Sequence, residues 1–236
     1  RRQRQMCIRD RPTFLLTYMS KAKETDFSSL RLVVTGAEKL KRKLADRFEA
    51  RFGVRPLEGY GATELSPAVA FNVADVTIGG IKQTGAKDDS VGHPLPGVTA
   101  KVVHPETGEE LGENEEGLML VKGPNVMKGY LGNPEKTAEA LNNGWYNTGD
   151  IARIDSDGFI YLVDRLMRYS KIGGEMVPHL AVEEVLLQGL EAVGQIVYVT
   201  AAPDERKGEQ LVVLYTAEAG DANKLHEFVK HSTLPN

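Results

Sequence analysis

A strand, an amphipathic helix and a second strand follow one another in the first quarter of the chain. Of all the features of the sequence, this order restricts the possible fold most, because it is typical of α/β proteins. The apolar run at 32–35 predicts a buried strand. In the next segment, EKLKRKLADRFEARF, apolar residues recur at every fourth position among lysines and arginines, which predicts a helix ending at Gly53. The second strand is VRPLEGYG. Both strands lead into glycine-rich corners, and ligands of α/β sheets bind beyond the carboxyl ends of such strands.

The pattern changes after about residue 90 to short strands separated by turns, which predicts an antiparallel part. Within it, Asn133-Pro134 provides the N-cap and first turn of a short helix, PEKTAEAL. Beyond the polar segment 164–170, the order helix, strand, strand, helix predicts a small α+β unit at 171–236. Asp221 is placed to cap its last helix. The unit has no closing element, so we expect the C-terminus to be truncated.

The first eleven residues, RRQRQMCIRDR, carry five arginines, no apolar periodicity and no signal-peptide core. We therefore predict that residues 1–11 are a leader that is not native to the protein, and we leave them out of the predicted fold. The one cysteine of the sequence, Cys7, lies in this leader. The rest of the chain can form neither a disulfide nor a thiolate metal site, as expected of a cytoplasmic protein.

Charge and hydropathy exclude two broad classes of protein. The net charge is −4, and the basic leader leaves the remainder more acidic than the whole. Nucleic-acid-binding proteins displace counterions from phosphates with a face rich in lysine and arginine, so we expect no nucleic-acid partner for this acidic body. The longest apolar runs, IVYV and LVVLY, are far shorter than the roughly 18 residues of a membrane-spanning helix, so we expect no such helix.

Two short motifs carry residue types suited to a nucleotide. The glycines of GYGATE permit close backbone approach. In the same motif, Tyr60 offers a flat ring to a purine, Thr63 offers a hydroxyl to phosphate, and Glu64 offers a carboxylate to Mg²⁺. In WYNTGD, Asp150 follows a glycine and is suited to accept hydrogen bonds from ribose hydroxyls. Each motif taken alone also fits an ordinary turn.

A third motif, DRLMRYSKIGGEMV at 164–177, lies between two apolar-rich regions. It combines several charges, two adjacent glycines and an exposed position for Lys171. A linker is the simplest interpretation of such a segment. A hinge fits equally well, since enzymes that close over a substrate place their hinges at a few positions where elements end.

The order of the motifs is more specific than any one of them. TGAE, GYGATE, GHPLPG, GPNVMKGYL, WYNTGD and DRLMRYSKIGGEMV follow one another along the chain. In this order the sequence resembles the adenylate-forming superfamily, which includes acyl-CoA synthetases, firefly luciferase and the adenylation domains of peptide synthetases. The resemblance covers nearly all of the chain from Pro12. It implies an α/β fold: the C-terminal part of the AMP-binding large domain at 12–163, with a small β-barrel-like subdomain, a hinge at 164–170, and a truncated α+β domain at 171–236.

Three stretches, TGAEKL, LEGYGATELSPAVAFN and KIGGEMV, are most similar to one branch of that superfamily. The branch is the acyl-acyl-carrier-protein synthetase region of bacterial 2-acylglycerophosphoethanolamine acyltransferases. This narrower resemblance implies a long-chain fatty acid as substrate and acyl carrier protein or coenzyme A as acceptor. Because those relatives are fused to acyltransferase modules, it also allows a parent protein associated with the cytoplasmic face of the inner membrane.

The resemblance implies a two-step reaction that uses ATP and Mg²⁺. A carboxylate attacks the α-phosphate of ATP to give an acyl-adenylate and pyrophosphate, and a thiol then displaces AMP. The residues that the resemblance assigns to ATP or AMP binding are Gly36, Ala37, Glu38, Gly59, Tyr60, Gly61, Asp150, Arg165, Gly173 and Gly174. Those that it assigns to catalysis are Thr63 at the phosphate, Glu64 as the Mg²⁺ ligand, and Lys171, which faces the site when the small domain rotates.

The chain departs from the family pattern in three ways. The family has a phosphate loop rich in Gly, Ser and Thr upstream of TGAE and a lysine near its C-terminus, and this chain contains neither. Met167 stands at a hinge position where family members usually have Asp or Lys. We therefore expect a fragment of an acyl-activating ligase that is inactive alone. The alternative is a non-catalytic module that binds nucleotide or a carrier protein, which Met167 favours and Glu64, Asp150 and Arg165 disfavour.

Overall fold

The computed structural model of the chain describes residues 6–172, 175–192, 195–204, 206 and 208–230. The chain divides into two compact units, Arg1–Leu162 and Val163–Asn236. The division falls just before the polar segment that the sequence analysis placed between two domains. Each unit has a core of its own.

The first unit combines a few helices with many short strands. Its helices are α1 (Pro12–Lys21), α2 (Arg42–Phe52) and α3 (Pro134–Ala140). Its strands, in chain order, are β1 (Met6–Asp10), β2 (Leu30–Thr35), β3 (Pro56–Gly61), β4 (Ala68–Phe71), β5 (Val76–Ile78), β6 (Ile81–Gln83), β7 (His93–Pro94), β8 (Thr99–Val103), β9 (Gly117–Lys122), β10 (Leu141–Asn142), β11 (Trp145–Ile154) and β12 (Ile160–Arg165), the last of which runs into the second unit.

The first sheet has the strand order β1-β2-β3-β4-β7. β1, β2 and β3 are parallel, and β4 and β7 continue the sheet in antiparallel fashion. Helices α1 and α2 pack against β2 around the buried side chains of Leu15, Val33 and Phe48. The predicted strand–helix–strand unit is confirmed, and α2 ends as predicted, with Gly53 in the left-handed conformation.

Leaving residues 1–11 out of the predicted fold was wrong for Met6–Asp10, which form β1. This strand pairs in parallel with β2, with Cys7 opposite Leu32 and Asp10 opposite Thr35. It lies at the edge of the sheet, so among the described residues it pairs with one strand only, and most of its side chains stay accessible to water. Its sequence therefore lacks the apolar alternation by which strands are recognised, although Ile8 packs against the core beneath.

The second sheet has the order β10-β11-β9-β8, with β12 paired to β11. The predicted antiparallel part is confirmed, but the barrel-like subdomain is not: the described residues contain no closed barrel. The physical reason lies at β12. Ile160 exchanges backbone hydrogen bonds with the segment before β7, donating to Gly92 O at 3.0 Å and accepting from Val91 N at 2.8 Å. This pairing occupies the edge of β12 that closure would need.

A second core of the first unit draws residues from both sheets. Tyr60, Val69 and Ala70 of the first sheet pack with residues of the second, among them Met119 and Tyr146. All five side chains are buried. The strand that carries GYG is therefore fixed against the strand that carries WYNTGD.

The second unit is a small α+β structure, as predicted. Its strands are β13 (Tyr169–Ile172), β14 (Glu175–Pro178), β15 (Val197–Asp204) and β16 (Gly208–Tyr215), and its helices are α4 (His179–Gly189) and α5 (Ala222–Lys230). The strands form an antiparallel sheet of order β14-β13-β16-β15, and α4 and α5 share an apolar core with it. Asp221 Oδ1 accepts hydrogen bonds from the amides of Asn223 and Lys224, which confirms the predicted cap of α5.

In the part of the chain that the structure describes, no helix is both long enough and apolar enough to cross a membrane.

Candidate active site

The GYG segment at the end of β3 is packed so closely that its glycines have no room for a side chain. A β-carbon on Gly59 would lie 2.1 Å from the ring of Phe71, and one on Gly61 would lie 1.9 Å from the carbonyl oxygen of Pro67. Both distances are far below van der Waals contact. β4 and the turn that leads into it therefore fix the backbone on either side of Tyr60.

The first glycine corner, TGAE, lies at the end of β2, as predicted. The Gly36 amide donates to Asp10 O at 3.2 Å, and Ala37 has a positive φ of 66°. The carboxylate of Glu38 accepts hydrogen bonds from the amide and the hydroxyl of Thr13, at the start of α1, and lies 3.8 Å from the guanidinium of Arg11. Glu38 thus caps α1 in this structure, and the predicted place of this corner at the adenine stays a prediction.

The loop that contains GPNVMKGYL holds the turn after GYG in place. The Met127 amide donates to Glu64 O at 2.8 Å. The side-chain amide of Asn125 donates to Leu65 O at 3.0 Å and to Ala68 O at 2.8 Å. Exposed Thr63 begins the short 3₁₀ helix Thr63–Leu65 of this turn. Two motifs separated by about sixty residues therefore form one structural unit.

The Glu64 side chain is held by a tyrosine of that loop. The Tyr130 hydroxyl donates to Glu64 Oε1 at 2.9 Å. Tyr146 lies close enough to interact with both the Tyr130 hydroxyl and the charge of Glu64. Tyr146 and Tyr130 are therefore neighbours around one carboxylate.

A second tyrosine–carboxylate pair joins GYGATE to WYNTGD. The Tyr60 hydroxyl donates to Asp150 Oδ2 at 2.5 Å, across 90 residues of sequence. Both residues are buried, Tyr60 to 9% exposure and Asp150 to 7%. A buried carboxylate needs such a partner, because an unmet charge away from water is costly. We call Tyr60, Glu64, Tyr130, Tyr146 and Asp150 the tyrosine–carboxylate cluster.

A β-bulge aims Asp150 at Tyr60. The register of β11 against β9 shifts between Asn147 and Ile151, and Gly149 takes a positive φ of 70°. The Thr148 hydroxyl fixes the bulge, since it donates to Met119 O at 2.8 Å and accepts from the Asp150 amide at 3.0 Å. Bulges of this kind redirect a side chain, so the TGD sequence sets where the carboxylate points.

The electrostatics of the cluster keep Tyr130 and Tyr146 protonated. Burial raises the pKa of Tyr146, and the charges of Glu64 and Asp150 raise it further. Burial and the hydrogen bond to Glu64 likewise raise the pKa of Tyr130. Both hydroxyls therefore stay hydrogen-bond donors throughout the neutral pH range.

The chain offers a magnesium ion one carboxylate rather than a cage. Among the described residues, no group of three or more His, Cys, Asp or Glu side chains could hold a metal. Glu64 is partly exposed, and Tyr130 engages its Oε1 atom. A single carboxylate completed by substrate phosphates and water is the way Mg²⁺ binds in many nucleotide enzymes, so Glu64 fits this role.

The remaining predicted site residues belong to the second unit. Asp164 Oδ1 accepts from the Arg165 amide and Asp164 Oδ2 from the Leu180 amide, which ties the start of this unit to α4. The Lys171 amide donates to Glu209 Oε2 at 2.6 Å within the sheet, and the side chains of Arg165 and Lys171 are exposed. Gly173, Gly174 and the side chain of Met167 lie outside the described residues. The roles of these residues stay predictions.

Two tyrosines around the Glu64 carboxylate were not predicted as site residues from the sequence. Tyr130 and Tyr146 lie inside quoted motifs, GPNVMKGYL and WYNTGD, so the signal was present. Tyrosine next to glycine or tryptophan is equally typical of a core residue, and both are in fact at least partly buried. Their hydroxyl partners became apparent from the fold alone.

Comparison with known proteins identifies the family. A sequence model described as "AMP-binding enzyme" matches residues 5–131, more than half of the chain. The long-chain-fatty-acid–CoA ligase of Bacillus subtilis (strain 168) is 36% identical over 213 residues, which cover 89% of this chain and 36% of that protein. The 4-coumarate–CoA ligase-like 6 of Oryza sativa subsp. japonica is 36% identical over 207 residues, which cover 87% of this chain and 33% of that protein.

Solved structures of similar fold agree with this family assignment. The crystal structure of ATP-bound MatB from Rhodopseudomonas palustris matches with a TM-score of 0.81 and 26% identity, covering 98% of this chain and 45% of that one. The chain spans about a third of the length of the curated relatives above. The resemblance to the adenylate-forming superfamily is confirmed, whereas these relatives give no support to the narrower resemblance to acyl-acyl-carrier-protein synthetases. The chain belongs to the AMP-binding enzyme family.

Proposed function

We propose that the protein containing this chain activates a carboxylic acid with ATP and transfers the acyl group to a thiol. The observation that carries the proposal is the tyrosine–carboxylate cluster. Tyr60 and Glu64 from GYGATE and Asp150 from WYNTGD meet there, and the family resemblance assigns these residues to adenine, Mg²⁺ and ribose. Their meeting supports a nucleotide site at this edge of the first sheet.

The proposed reaction has two balanced steps. In the first, a carboxylate oxygen bonds to the α-phosphorus of ATP while the bond from that phosphorus to the bridging oxygen breaks, and pyrophosphate leaves with the electron pair. In the second, the acceptor sulfur bonds to the acyl carbon while the bond from that carbon to the AMP phosphate oxygen breaks. The thiol proton goes to solvent. Both steps depend mainly on positioning and charge neutralisation.

The residues of the first unit position the nucleotide in this proposal. Asp150 accepts hydrogen bonds from ribose hydroxyls, and Tyr60 holds the carboxylate in place from within the core. Thr63 donates to a phosphate oxygen, and Glu64 supplies a carboxylate oxygen to Mg²⁺. When bound, Mg²⁺ neutralises charge on the phosphates and on the leaving pyrophosphate. The family resemblance also assigns Arg165 and Lys171, of the second unit, to this reaction.

The relatives suggest which substrates to test. One is called a long-chain-fatty-acid–CoA ligase and another a 4-coumarate–CoA ligase-like protein. We therefore propose a fatty or aryl carboxylic acid as substrate, in the fatty case with a long chain, and coenzyme A as acceptor. Acyl carrier protein, implied by the narrower resemblance, is the second acceptor to test. In this proposal the protein acts in the cytoplasm.

Pyrophosphate exchange tests the proposal. The full-length protein, given ATP, Mg²⁺ and a panel of fatty and aryl acids, should incorporate labelled pyrophosphate into ATP. Asp150→Ala should weaken ATP binding about tenfold or more, because an unmet hydrogen-bonding group costs about 1–3 kcal/mol. The matched control is Asp157→Ala, an exposed aspartate of the DSDG turn in the same unit.

The outcomes separate the proposal from its alternative. ATP binding without exchange across the whole panel would favour a non-catalytic nucleotide-binding module. If ATP binds equally well to Asp150→Ala and to the unaltered protein, the role given to Asp150 is wrong.

A further inference from the structure

We infer that Tyr130 is a positioning residue that fixes the Glu64 carboxylate for the magnesium-bound nucleotide, with Tyr146 as its support. The inference rests on the proposed function, because it presupposes that ATP binds at the tyrosine–carboxylate cluster. It goes beyond that function because it gives a role to Tyr130 and Tyr146, two residues to which the family resemblance assigns none. Three structural observations carry it.

The first observation is that Glu64 needs an outside partner to be oriented. It lies in the single-turn 3₁₀ helix Thr63–Leu65, and its side chain is only partly buried. A glutamate has several rotatable bonds, so ordering it freezes rotamers at a cost in entropy. The hydrogen bond from the Tyr130 hydroxyl to Oε1 restricts the carboxylate before any ligand arrives.

The second observation is that Tyr130 is itself held firmly at its backbone and over its ring. Its amide donates to the Thr137 hydroxyl at 2.9 Å, and that hydroxyl donates to Asn133 O at 2.8 Å. The ammonium of Lys136 lies 4.8 Å from the centre of the Tyr130 ring. These contacts all come from the start of α3, so the helix fixes the tyrosine that fixes the glutamate.

The third observation is that Tyr146, a buried core residue, lies beside Tyr130 and Glu64. Tyr146 is 6% exposed and belongs to the core that also contains Tyr60. Tyr146 also interacts with the Tyr130 hydroxyl and with the charge of Glu64. The tyrosine pair therefore borders the Glu64 carboxylate, whose Oε1 atom Tyr130 engages.

Residues that orient a metal ligand through a hydrogen bond have a characteristic effect when they are removed. Metal affinity or activity commonly falls by about 10- to 100-fold, although the ligand itself is intact. We therefore expect Tyr130→Phe to act on the cation-dependent part of ATP binding. A purely structural role would instead weaken ATP binding equally with and without the cation.

The experiment measures ATP affinity of the full-length protein by calorimetry in two buffers, one with Mg²⁺ and one with EDTA. Tyr130→Phe should weaken ATP binding about tenfold in Mg²⁺ and leave it unchanged in EDTA. Binding of Mn²⁺ in the presence of ATP, followed by electron paramagnetic resonance, should weaken by a similar factor. Tyr146→Phe should have a smaller effect in the same direction.

The matched control is Tyr161→Phe. The Tyr161 hydroxyl also donates to a carboxylate, Asp155 Oδ2 at 3.1 Å, in the same unit and away from the cluster. Loss of this bond should leave ATP affinity unchanged in both buffers. Combining Tyr130→Phe with Glu64→Gln should cost no more in Mg²⁺ than Glu64→Gln alone, because the tyrosine acts through the carboxylate.

Each result decides between the two proposals. Equal weakening of ATP binding in Mg²⁺ and in EDTA, or none in either, overturns the inference about Tyr130 and leaves the proposed function standing. Additive effects of Tyr130→Phe and Glu64→Gln overturn it as well. If the unaltered full-length protein binds no ATP in either buffer, the proposed function fails and the inference fails with it.

Discussion

The buried carboxylates of this chain differ in the partner that each of them has, and this partner sets what the residue can do. Asp150 accepts a hydrogen bond from the Tyr60 hydroxyl, which fixes its carboxylate. Glu183 accepts a hydrogen bond from the guanidinium of Arg168, and this pair stabilises the second unit. Glu58 is 8% exposed with the Leu40 amide as a hydrogen-bond donor, so its charge is poorly compensated.

At this scale the sequence predicted acids more reliably than their partners. Glu64 and Asp150 are recognisable because they are carboxylates within two glycine-containing motifs, GYGATE and WYNTGD, that follow one another in the family's order. Tyr130 and Tyr146 are not, since a tyrosine in an apolar setting is equally typical of the core. Which hydroxyl meets which carboxylate depends on strand register and on the bulge of β11, and neither can be read from residue types.

The poorly compensated charge of Glu58 predicts a pH dependence of stability. Burial raises the pKa of Glu58 from 4.5 to about 7. Between these values the folded chain keeps a proton that the unfolded chain releases, so the free energy of unfolding falls as pH rises through this window. The fall should be about 3 kcal/mol, from the size of the pKa change. Urea unfolding at about pH 5 and about pH 8 measures it.

Two variants check that Glu58 is responsible. Glu58→Gln, which has no proton to lose, should remove most of the difference in unfolding free energy between the two pH values. Glu116→Gln, at an exposed position of the same unit, should leave the difference as it is. An unchanged pH dependence in Glu58→Gln would show that other groups cause it.

Among the elements, those with strong periodicity were predicted best. α2 ends where its pattern and Gly53 indicate, although it begins at Arg42, after the segment in which buried Leu40 already contributes to the core. β1 was missed because an edge strand carries charged residues without penalty. The bulge in β11 was also missed: WYNTGD, which taken alone fits an ordinary turn, is part of one continuous strand, Trp145–Ile154.

The bulge predicts different effects for two similar glycine substitutions. Gly149 and Gly108 both have positive φ, 70° and 74°, with open space where a side chain would go. Alanine at either position should cost about 1 kcal/mol of stability, because L-residues disfavour this conformation. Gly149→Ala should in addition weaken ATP binding severalfold, since it disturbs the backbone that aims Asp150.

Calorimetric ATP titration and urea unfolding of the two glycine variants measure these effects. Gly108 lies in the PETGEE turn between β8 and β9 and serves as the control. Equal ATP affinity in the two variants would mean that the bulge does not position the carboxylate.

At the scale of the whole molecule, the two units have separate cores. The order of helices and strands indicated both units, because each element type has its own periodicity. The open form of the second sheet could not be predicted. It depends on whether Ile160 pairs with another strand of that sheet or with Gly92, a choice made by tertiary packing.

Separate cores predict that unfolding is not a single transition. Arg168 Nη2 donates to Glu183 Oε1 at 2.5 Å in the second unit, and Glu183 is 2% exposed. Arg168→Ala leaves that carboxylate without its counter-charge, which should cost about 3–5 kcal/mol. Because the cores are separate, scanning calorimetry should resolve two unfolding transitions. Arg168→Ala should lower the midpoint temperature of the transition that belongs to the second unit.

Hydrogen exchange assigns the affected transition. Protection should fall in β15 and β16 and stay unchanged in β2 and β3. Arg47→Ala, at an exposed position of α2, is the control and should alter neither transition. A single transition that shifts as a whole would mean that the two units unfold together.

The hydrogen bonds between Ile160 and the segment around Gly92 bear on how the protein is synthesised. The ammonium of Lys87 likewise pairs with Asp155 and Asp157, nearly seventy residues further along. A ribosome must therefore release the chain to about residue 160 before the first unit can acquire its last strand. Until then the core that joins the two sheets lacks Ile160, and such contacts between distant residues form slowly. The nascent protein should for this reason depend on chaperones that shield exposed strands.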